Sequence, residues 1–336
     1  MHIHRLLNPA VWHDQVDAKG ISSSQSWALA IGNFDGVHQG HQLIIKTLKE
    51  QASRVQAQPA VMIFESQPLE YFLKDKAPIR LMSARDKIQA LFNEGVAMVL
   101  VCRFDQELSL LHPADFMKNL RENVNIKGLT LGQDFRFGFK RLGDVAYLKG
   151  YCQNEALDLV AMPDFNLSQT RVSSSLIRQF IGHSQFDEAS LSLGRPYYLE
   201  GVVQHGRKLA RDLGFPTANV KVVRRIPPLH GVFVGKAYLP YNGEVHYNAV
   251  ANCGWKPSVG GRVWQVEVHI FDENFKPISL YGQRLRFEPM AKLRDEQKFD
   301  SLEALKNAIE KIKNAHVKNK KFSFLYFKIM SLFNLI

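Results

Sequence analysis

The chain has 336 residues, 46% of them apolar and 22% charged, a composition that excludes intrinsic disorder and a length that allows two separate cores. Its net charge of +11 is inflated by residues 311–336, where Lys311, Lys313, Lys318, Lys320, Lys321 and Lys328 stand without an acid; +11 less these six leaves +5, a surplus that suits anionic nucleotides and gives no argument for nucleic acid as a partner. Cys102, Cys152 and Cys253 lie far apart and are odd in number, which excludes a C-x-x-C zinc site and a disulfide framework; with no basic region and apolar core at the N-terminus, the expected location is cytoplasmic.

The first predicted strand is Trp27 to Ile31. It runs into Gly32-Asn33-Phe34-Asp35-Gly36-Val37-His38-Gln39-Gly40-His41. Leu43, Ile44, Leu48, Ala52 and Val55 then recur at helical spacing, so the glycine-rich segment opens a helix. The unpaired N–H groups at a helix start, with the helix dipole, favour an anion there. His38 and His41 are three apart; if the first turn reaches back to His38, both meet one phosphate group. Short apolar segments follow at residues 60–64, 96–101, 128–131 and 157–162. Helices fit between them: Ser83 with Asp86 reads as a capping-box start, Gly95 as a stop, and Pro113 as a first helical residue. This alternation through about residue 185 predicts an α/β domain with a parallel sheet, whose ligands collect at the carboxyl ends of the strands.

From about residue 195 the pattern changes to short alternating segments at 197–203, 231–238, 245–251 and 263–271, broken by glycine and proline. This predicts a small antiparallel sheet or barrel. A helix is expected next, with Asp300 and Glu303 at its start and Leu302, Leu305, Ile309 and Ile312 as a core-facing stripe. The tail 316–336 is basic, aromatic and apolar. It is too short and too interrupted by Lys328 to span a membrane comfortably; core packing or disorder is its simplest reading, and contact with an anionic membrane surface the alternative.

The H-x-G-H spacing resembles the nucleotidyltransferases of the Rossmann-like HUP superfamily, in which the histidines stabilise charge on a nucleoside triphosphate as pyrophosphate leaves. Three further strings narrow the resemblance. They are Leu131 to Gly138, Arg171-Val172-Ser173-Ser174-Ser175-Leu176-Ile177-Arg178, and Gly206 to Asn219 with its Pro216-Thr217-Ala218-Asn219 core. Together they resemble the bacterial bifunctional riboflavin kinase and FAD synthetase family over about residues 15 to 315.

That resemblance implies a Rossmann-like FMN adenylyltransferase domain over 1–185 and a riboflavin-kinase-type β-barrel with a C-terminal helix over 186–315. In the first domain it implies a triphosphate site of Gly32, Asn33, Phe34, Asp35, Gly36, His38, Gly40, His41, Arg171, Ser173, Ser174 and Arg178, with Asp134, Phe135 and Phe137 at the flavin. In the second it implies Gly206, Gly214 and Pro216 at ATP, Thr217 and Asn219 on Mg2+, and Arg294 at flavin or phosphate. Glu267, in Val266-Glu267-Val268-His269, lies opposite the apolar face of its strand and matches the catalytic glutamate. The substrates implied are ATP and riboflavin, with FMN as intermediate and FAD as product; no oligomeric state is implied.

Three departures stand out. Ala210 replaces a usual glycine, which weakens the expectation of kinase activity and leaves a monofunctional FMN adenylyltransferase as the alternative. A binding module for RNA or membrane is the remote alternative, resting on the basic tail. Ser66-Gln67-Pro68 lacks a usual proline, which is expected to loosen that loop.

Overall fold

A computed structural model describes residues 2–6, 25–204, 217–222, 229–239, 245–258, 261–270 and 280–295. The chain divides into two units, Met1–Arg178 with Ser192–Gly194, and Gln179–Leu191 with Arg195–Ile336.

The first unit is built on a six-stranded parallel sheet. Its strands are β1 (His2–Leu6), β2 (Trp27–Ile31), β3 (Gln58–Phe64), β4 (Met98–Cys102), β5 (Ile126–Gly132) and β8 (Asp158–Met162), in the order β1-β4-β3-β2-β5-β8. The order steps one way from β2 through β3 to β4 and the other way through β5 to β8, so the switch point lies between β2 and β5. Helices α1 (Gln39–Arg54) and α3 (Ala84–Asn93) cover one face, where Ile45, Leu48, Leu91 and Phe92 pack on Ala28, Ala30, Val61 and Ile63. The other face packs under α5 (Pro113–Asn123) and α6 (Val145–Asn154), with Leu29, Met62 and Leu100 against Phe116, Leu120 and Leu148. Short helices α2 (Pro68–Leu73) and α4 (Gln106–Leu110), and the two-residue strand pairs β6 (Arg136–Phe137) with β7 (Gly143–Asp144) and β9 (Asn166–Leu167) with β10 (Thr170–Arg171), decorate the connections.

Local chemistry sets these elements. Ser83 caps α3, its hydroxyl accepting from the Asp86 N–H at 3.1 Å, and Gly95 follows the helix at φ +89°. Pro113 begins α5 behind a His112 cap. Helix α1 is registered on the sheet by Gln51, fully buried. It donates to the Leu129 and Asp158 carbonyls at 3.2 and 2.9 Å and accepts from Thr130 Oγ1 at 2.7 Å. A side chain at Gly128 would meet Gln51 at 2.8 Å, which is why a glycine stands there.

Helices α7 (Ser174–Gly182) and α8 (Phe186–Leu193) lead to the second unit. There β11 (Leu199–Gln204), β12 (Thr217–Lys221), β13 (Gly231–Tyr238), β14 (His246–Ser258), β15 (Gly261–Ile270) and β16 (Arg284–Arg294) close an antiparallel barrel in the order β11-β12-β15-β14-β13-β16. Inward positions alternate along each strand: Val266 and Val268, Ala251 and Cys253, Leu285 and Phe287 are all at most 1% exposed.

The barrel has two strands the pattern did not announce, β12 and β16, and the sheet has an unannounced edge strand, β1. The expected helix with Leu302, Leu305, Ile309 and Ile312, and the basic tail, lie outside the described residues, as do Gly206, Ala210, Gly214 and Pro216. Among the described residues, no helix is long and apolar enough to cross a membrane. The loop in which Ser66 stands for the family's usual proline carries several side-chain ties. Gln67 precedes α2 and donates its N–H to Glu70 at 3.0 Å, and Arg80 grips Glu70 at 2.5 Å and Glu65 at 2.7 Å.

Candidate active sites

In the first unit the glycine-rich loop leaves the carboxyl end of β2 at the switch point and enters α1 at Gln39, with His38 as the cap. His38 therefore stands one residue outside the helix, and His41 lies in its first turn. Their rings stack at 3.7 Å with an 18° interplanar angle. His38 Nδ1 accepts from the His41 backbone N–H at 3.4 Å, so a neutral His38 carries its proton on Nε2.

Phe34, 2% exposed, packs its ring 4.9 Å from His41 and fixes that imidazole from behind. The loop is tight: Phe34 and Val37 both have positive φ, at 47° and 41°, and so does Gly36 at 88°. A side chain at Gly36 would meet Leu81 at 2.8 Å, and one at Gly40 would meet the His38 ring at 3.2 Å.

Burial, then the neighbouring His38 and Lys87, hold the proton affinity of His41 well below that of a free imidazole. His41 is thus neutral at pH 7 and offers an N–H donor rather than a cation. Asn33 Oδ1 and His41 Nδ1 are buried without hydrogen-bond partners among the described residues.

The Arg171–Arg178 string reaches this loop from the far side of the sequence. Asp35, 2% exposed, accepts from the Leu81 N–H at 3.1 Å and from Arg178 Nη2 at 2.6 Å, and Arg178 also donates to the Ile79 carbonyl. Ser174 donates its hydroxyl to the Asp35 carbonyl at 2.8 Å, while Ser173 accepts from the Leu176 N–H at 3.2 Å as the cap of α7. Asp35 and Arg178 thus form an internal clasp that holds a second helix start beside the first.

Arg171 is half exposed and ion-paired to Asp134 at 2.5 Å and to Asp164 at 2.9 Å. Its hydrogen bond to Asp134 raises its proton affinity further, so its charge is permanent. Phe135 stacks on Phe137 at 5.5 Å, and Phe137, 8% exposed, packs against Phe116 in the core. Phe137 therefore sits behind Phe135.

Two features near this site were not read from the sequence. Phe72 on α2 is 60% exposed and makes an edge contact with Phe104 at 5.7 Å beside the carboxyl ends of β3 and β4. Lys87 on α3 has no exposed surface, and its Nζ has no hydrogen-bond partner among the described residues. Its place four residues before Leu91, on the apolar face of the helix, was the one signal available.

In the barrel, register places the candidate residues in a row. Asn219 pairs with Glu267 and Glu267 with Asn252, while Asn252 pairs with Val232 and Val232 with Arg294. Directly paired residues share a face with Cβ atoms about 5 Å apart, so Asn219, Glu267 and Asn252 stand side by side, two strand spacings from Arg294. Thr217 pairs with His269 one step along the same strands, and His269 is buried. Asn252 Oδ1 is buried and has no partner among the described residues. The family resemblance places the segment Asn252 to Ser258 at the nucleotide and flavin pocket without an individual role for Asn252; its place opposite Glu267 follows once β14 and β15 are paired.

A doubly wound sheet with stacked histidines at its switch point, joined in one chain to a closed barrel bearing a Glu-Asn row, defines a two-domain enzyme of the nucleotidyltransferase-plus-kinase class. Comparison with known proteins gives the particular family. A family model of FAD synthetase matches residues 21–176 and one of riboflavin kinase matches 193–318.

Bifunctional riboflavin kinase/FMN adenylyltransferases from Haemophilus influenzae, Escherichia coli K12 and Pseudomonas fluorescens are 40%, 38% and 42% identical to this chain. Those matches cover 85%, 84% and 83% of it and 92%, 88% and 88% of the relatives. A solved structure described as a macrolide-efflux protein from Streptococcus pneumoniae shares the fold, at TM-score 0.73 and 24% identity over 94% of this chain and 99% of that one. The chain belongs to the bifunctional riboflavin kinase/FMN adenylyltransferase family.

Proposed function

We propose that the barrel phosphorylates riboflavin to FMN and that the α/β unit transfers AMP from a second ATP to that FMN, giving FAD and pyrophosphate. The stacked His38–His41 pair at a helix start on the switch point is the observation that carries the second step. In that step an FMN phosphate oxygen bonds to the α-phosphorus of ATP, the bond from that phosphorus to its β-bridging oxygen breaks, and negative charge builds on the departing pyrophosphate.

His38 and His41 donate N–H groups to that charge, and the starts of α1 and α7 add their backbone donors. Gly32, Asn33, Phe34, Gly36 and Gly40 let the loop approach the phosphates. Asp35 and Arg178 hold α7 in place beside it, Ser173 and Ser174 form its start, and Arg171 brings permanent charge. Asp134 and Phe135, with Phe137 behind, form one flavin-facing wall, and the exposed Phe72, packed on the partly buried Phe104, offers a second aromatic surface.

In the barrel, Glu267 accepts the proton from the riboflavin hydroxyl as its oxygen attacks the γ-phosphorus of ATP and ADP leaves. Gly206, Gly214 and Pro216 line the phosphates, and Arg294 meets flavin or phosphate. The donor set suits Mg2+. Asn219 is a neutral oxygen donor paired in register with Glu267, Thr217 stands two residues before it on the same strand, Asn252 Oδ1 is an orphaned acceptor in the same row, and the described residues contain no cage of three acidic, histidine or cysteine ligands. A hard cation arriving with ATP phosphates needs only one or two such protein oxygens. When bound it neutralises charge between the phosphates.

We place the division between the two domains at residues 185/186, in keeping with the family-model ranges, and assign the enzyme to the cytoplasm, in keeping with its three buried free thiols. Purified protein given riboflavin, ATP and magnesium is expected to form FMN and then FAD, consuming two ATP per FAD. Failure to form FMN, with FAD still made from supplied FMN, overturns the kinase step and leaves the monofunctional alternative that Ala210 raised.

A further inference from the structure

Asn252 on β14 carries an acceptor that the barrel leaves unmet: its Oδ1 is buried and has no hydrogen-bond partner among the described residues. Its neighbours on the outer face of the barrel explain why. Strand register sets Glu267 on one side of it and Val232 on the other, and along its own strand Val250 and Gly254 hold the same face. An ionised carboxylate only accepts, a valine has no polar side-chain atom, and a glycine has no side chain. Val232 and Val250 are at most 3% exposed and pack together with Val234. None of these four side chains can donate to Oδ1, and an amide oxygen left desolvated and unpaired is costly. The core does not demand an asparagine here either, since Ala251 and Cys253 are the inward residues of this stretch.

A cation and a hydroxyl both satisfy an amide oxygen, and strand order separates them. β15 lies between β12 and β14, so Asn219 stands on one flank of Glu267 and Asn252 on the other. The residues assigned to Mg2+, Thr217 and Asn219, both belong to the β12 flank. The hydroxyl that Glu267 deprotonates ends the ribityl chain of riboflavin, so the carbons next to that end must pass close to Glu267. The nucleoside of ATP is held away by the length of its own triphosphate, and phosphate oxygens are acceptors that cannot pair with Oδ1. Directly paired residues hold their Cβ atoms about 5 Å apart, which lets one side chain meet the terminal hydroxyl and the other its neighbour.

We infer that Asn252 is a specificity-determining residue of the kinase site: its Oδ1 accepts a hydrogen bond from the ribityl 4′-hydroxyl of riboflavin while Glu267 takes the proton of the 5′-hydroxyl. The two side chains read successive hydroxyls of a polyol chain, and a flavin without the 4′-hydroxyl leaves a buried acceptor unpaired. The inference rests on the reading of Glu267 as the kinase base.

Phosphorylation of riboflavin and of 4′-deoxyriboflavin by the full-length protein, at saturating ATP and magnesium, tests it. The native protein is expected to show a kcat/KM roughly ten- to a hundredfold lower for the deoxy analogue, the scale of leaving one buried acceptor without its donor. Equal values for the two flavins overturn the inference without any variant being made. Asn252→Ala is expected to phosphorylate the deoxy analogue as the native protein does, which also shows the barrel to be folded, and to treat riboflavin no better than the analogue.

A variant that keeps the native preference for riboflavin, or that loses both substrates alike, shows Asn252 to be structural only and overturns the inference. A raised magnesium requirement with the preference intact makes it a cation ligand and does the same. Glu267→Gln separates the two readings. If it leaves FMN formation intact, the kinase-base reading fails; if it abolishes FMN formation while Asn252→Ala keeps the native preference, only the role of Asn252 fails.

Discussion

Replacing Arg178 with methionine separates two roles for this residue, a direct clamp on phosphate and an internal anchor. Asp35 is 2% exposed and its carboxylate has two donors, the Leu81 N–H at 3.1 Å and the Arg178 guanidinium at 2.6 Å. Breaking a buried pair by removing one partner costs about 3–5 kcal/mol, because the remaining charge is left desolvated. The Arg178 side chain is 18% exposed, which puts the expected loss near the lower end, about 3 kcal/mol. For a unit of this size that corresponds to a fall in melting temperature of roughly 6–12 °C.

Hydrogen exchange of peptides covering residues 27–54 reads this unit separately from the barrel. Residual FAD and FMN synthesis after a heat challenge reports the two activities independently. In Asp35→Asn/Arg178→Met, where neither charge remains, at least half of the lost stability is expected to return. If Arg178→Met leaves exchange and melting unchanged while raising the KM for ATP, the clasp does not anchor the fold and Arg178 acts on substrate alone.

Other consequences are local. Gly36→Ala places a side chain at φ +88° with its Cβ 2.8 Å from Leu81; a cost of about 1–2 kcal/mol and a selective loss of FAD formation, with FMN formation retained, is the expected assay result. Gln51→Leu removes four hydrogen bonds, to the Leu129 and Asp158 carbonyls, the Asp158 carboxylate and Thr130, and leaves Thr130 and two carbonyls unsatisfied, so the urea midpoint of the α/β unit should fall by the equivalent of about 2–3 kcal/mol; an unchanged midpoint contradicts the anchoring role.

Acid should also weaken this unit. Folding lowers the proton affinity of His41 below the free value of 6.5, so as pH falls through 6.5 the unfolded chain takes up a proton that the folded chain refuses. Stability is then lost at up to about 1.4 kcal/mol per pH unit. Urea titrations at pH 7.5, 6.5 and 5.5 should show that slope in the native protein and a shallower one in His41→Asn.

The strands of the first unit were legible because a parallel sheet buried on both faces writes itself as short apolar runs: Trp27 to Ile31 is β2 residue for residue. Edge and barrel strands write weaker signals. β1 is His-Ile-His-Arg-Leu, too polar to stand out, and β16 carries arginines on one face and a proline among its buried positions Leu285, Phe287 and Pro289. The two histidines were legible because their chemistry lies within four consecutive residues, His38 to His41.

Residues whose meaning depends on distant partners were not legible. Nothing local ties Asp35 to Arg178, which meets it from 143 positions away. The same holds for the Asp134–Arg171 pair, which joins a residue assigned to flavin with one assigned to phosphate. Asn252, legible only as part of a pocket-forming segment, gained an individual place when strand register set it beside Glu267, and Lys87 stood out only when burial made its charge costly.

The central claim, two sequential reactions at two sites in one chain, is tested most directly by product analysis of two variants under identical conditions. With riboflavin, ATP and magnesium, His38→Ala/His41→Ala is expected to accumulate FMN and make no FAD. Glu267→Gln is expected to make neither from riboflavin, yet to convert supplied FMN to FAD at the native rate. FAD formation that survives loss of both histidines, or FMN formation that survives loss of Glu267, contradicts the account.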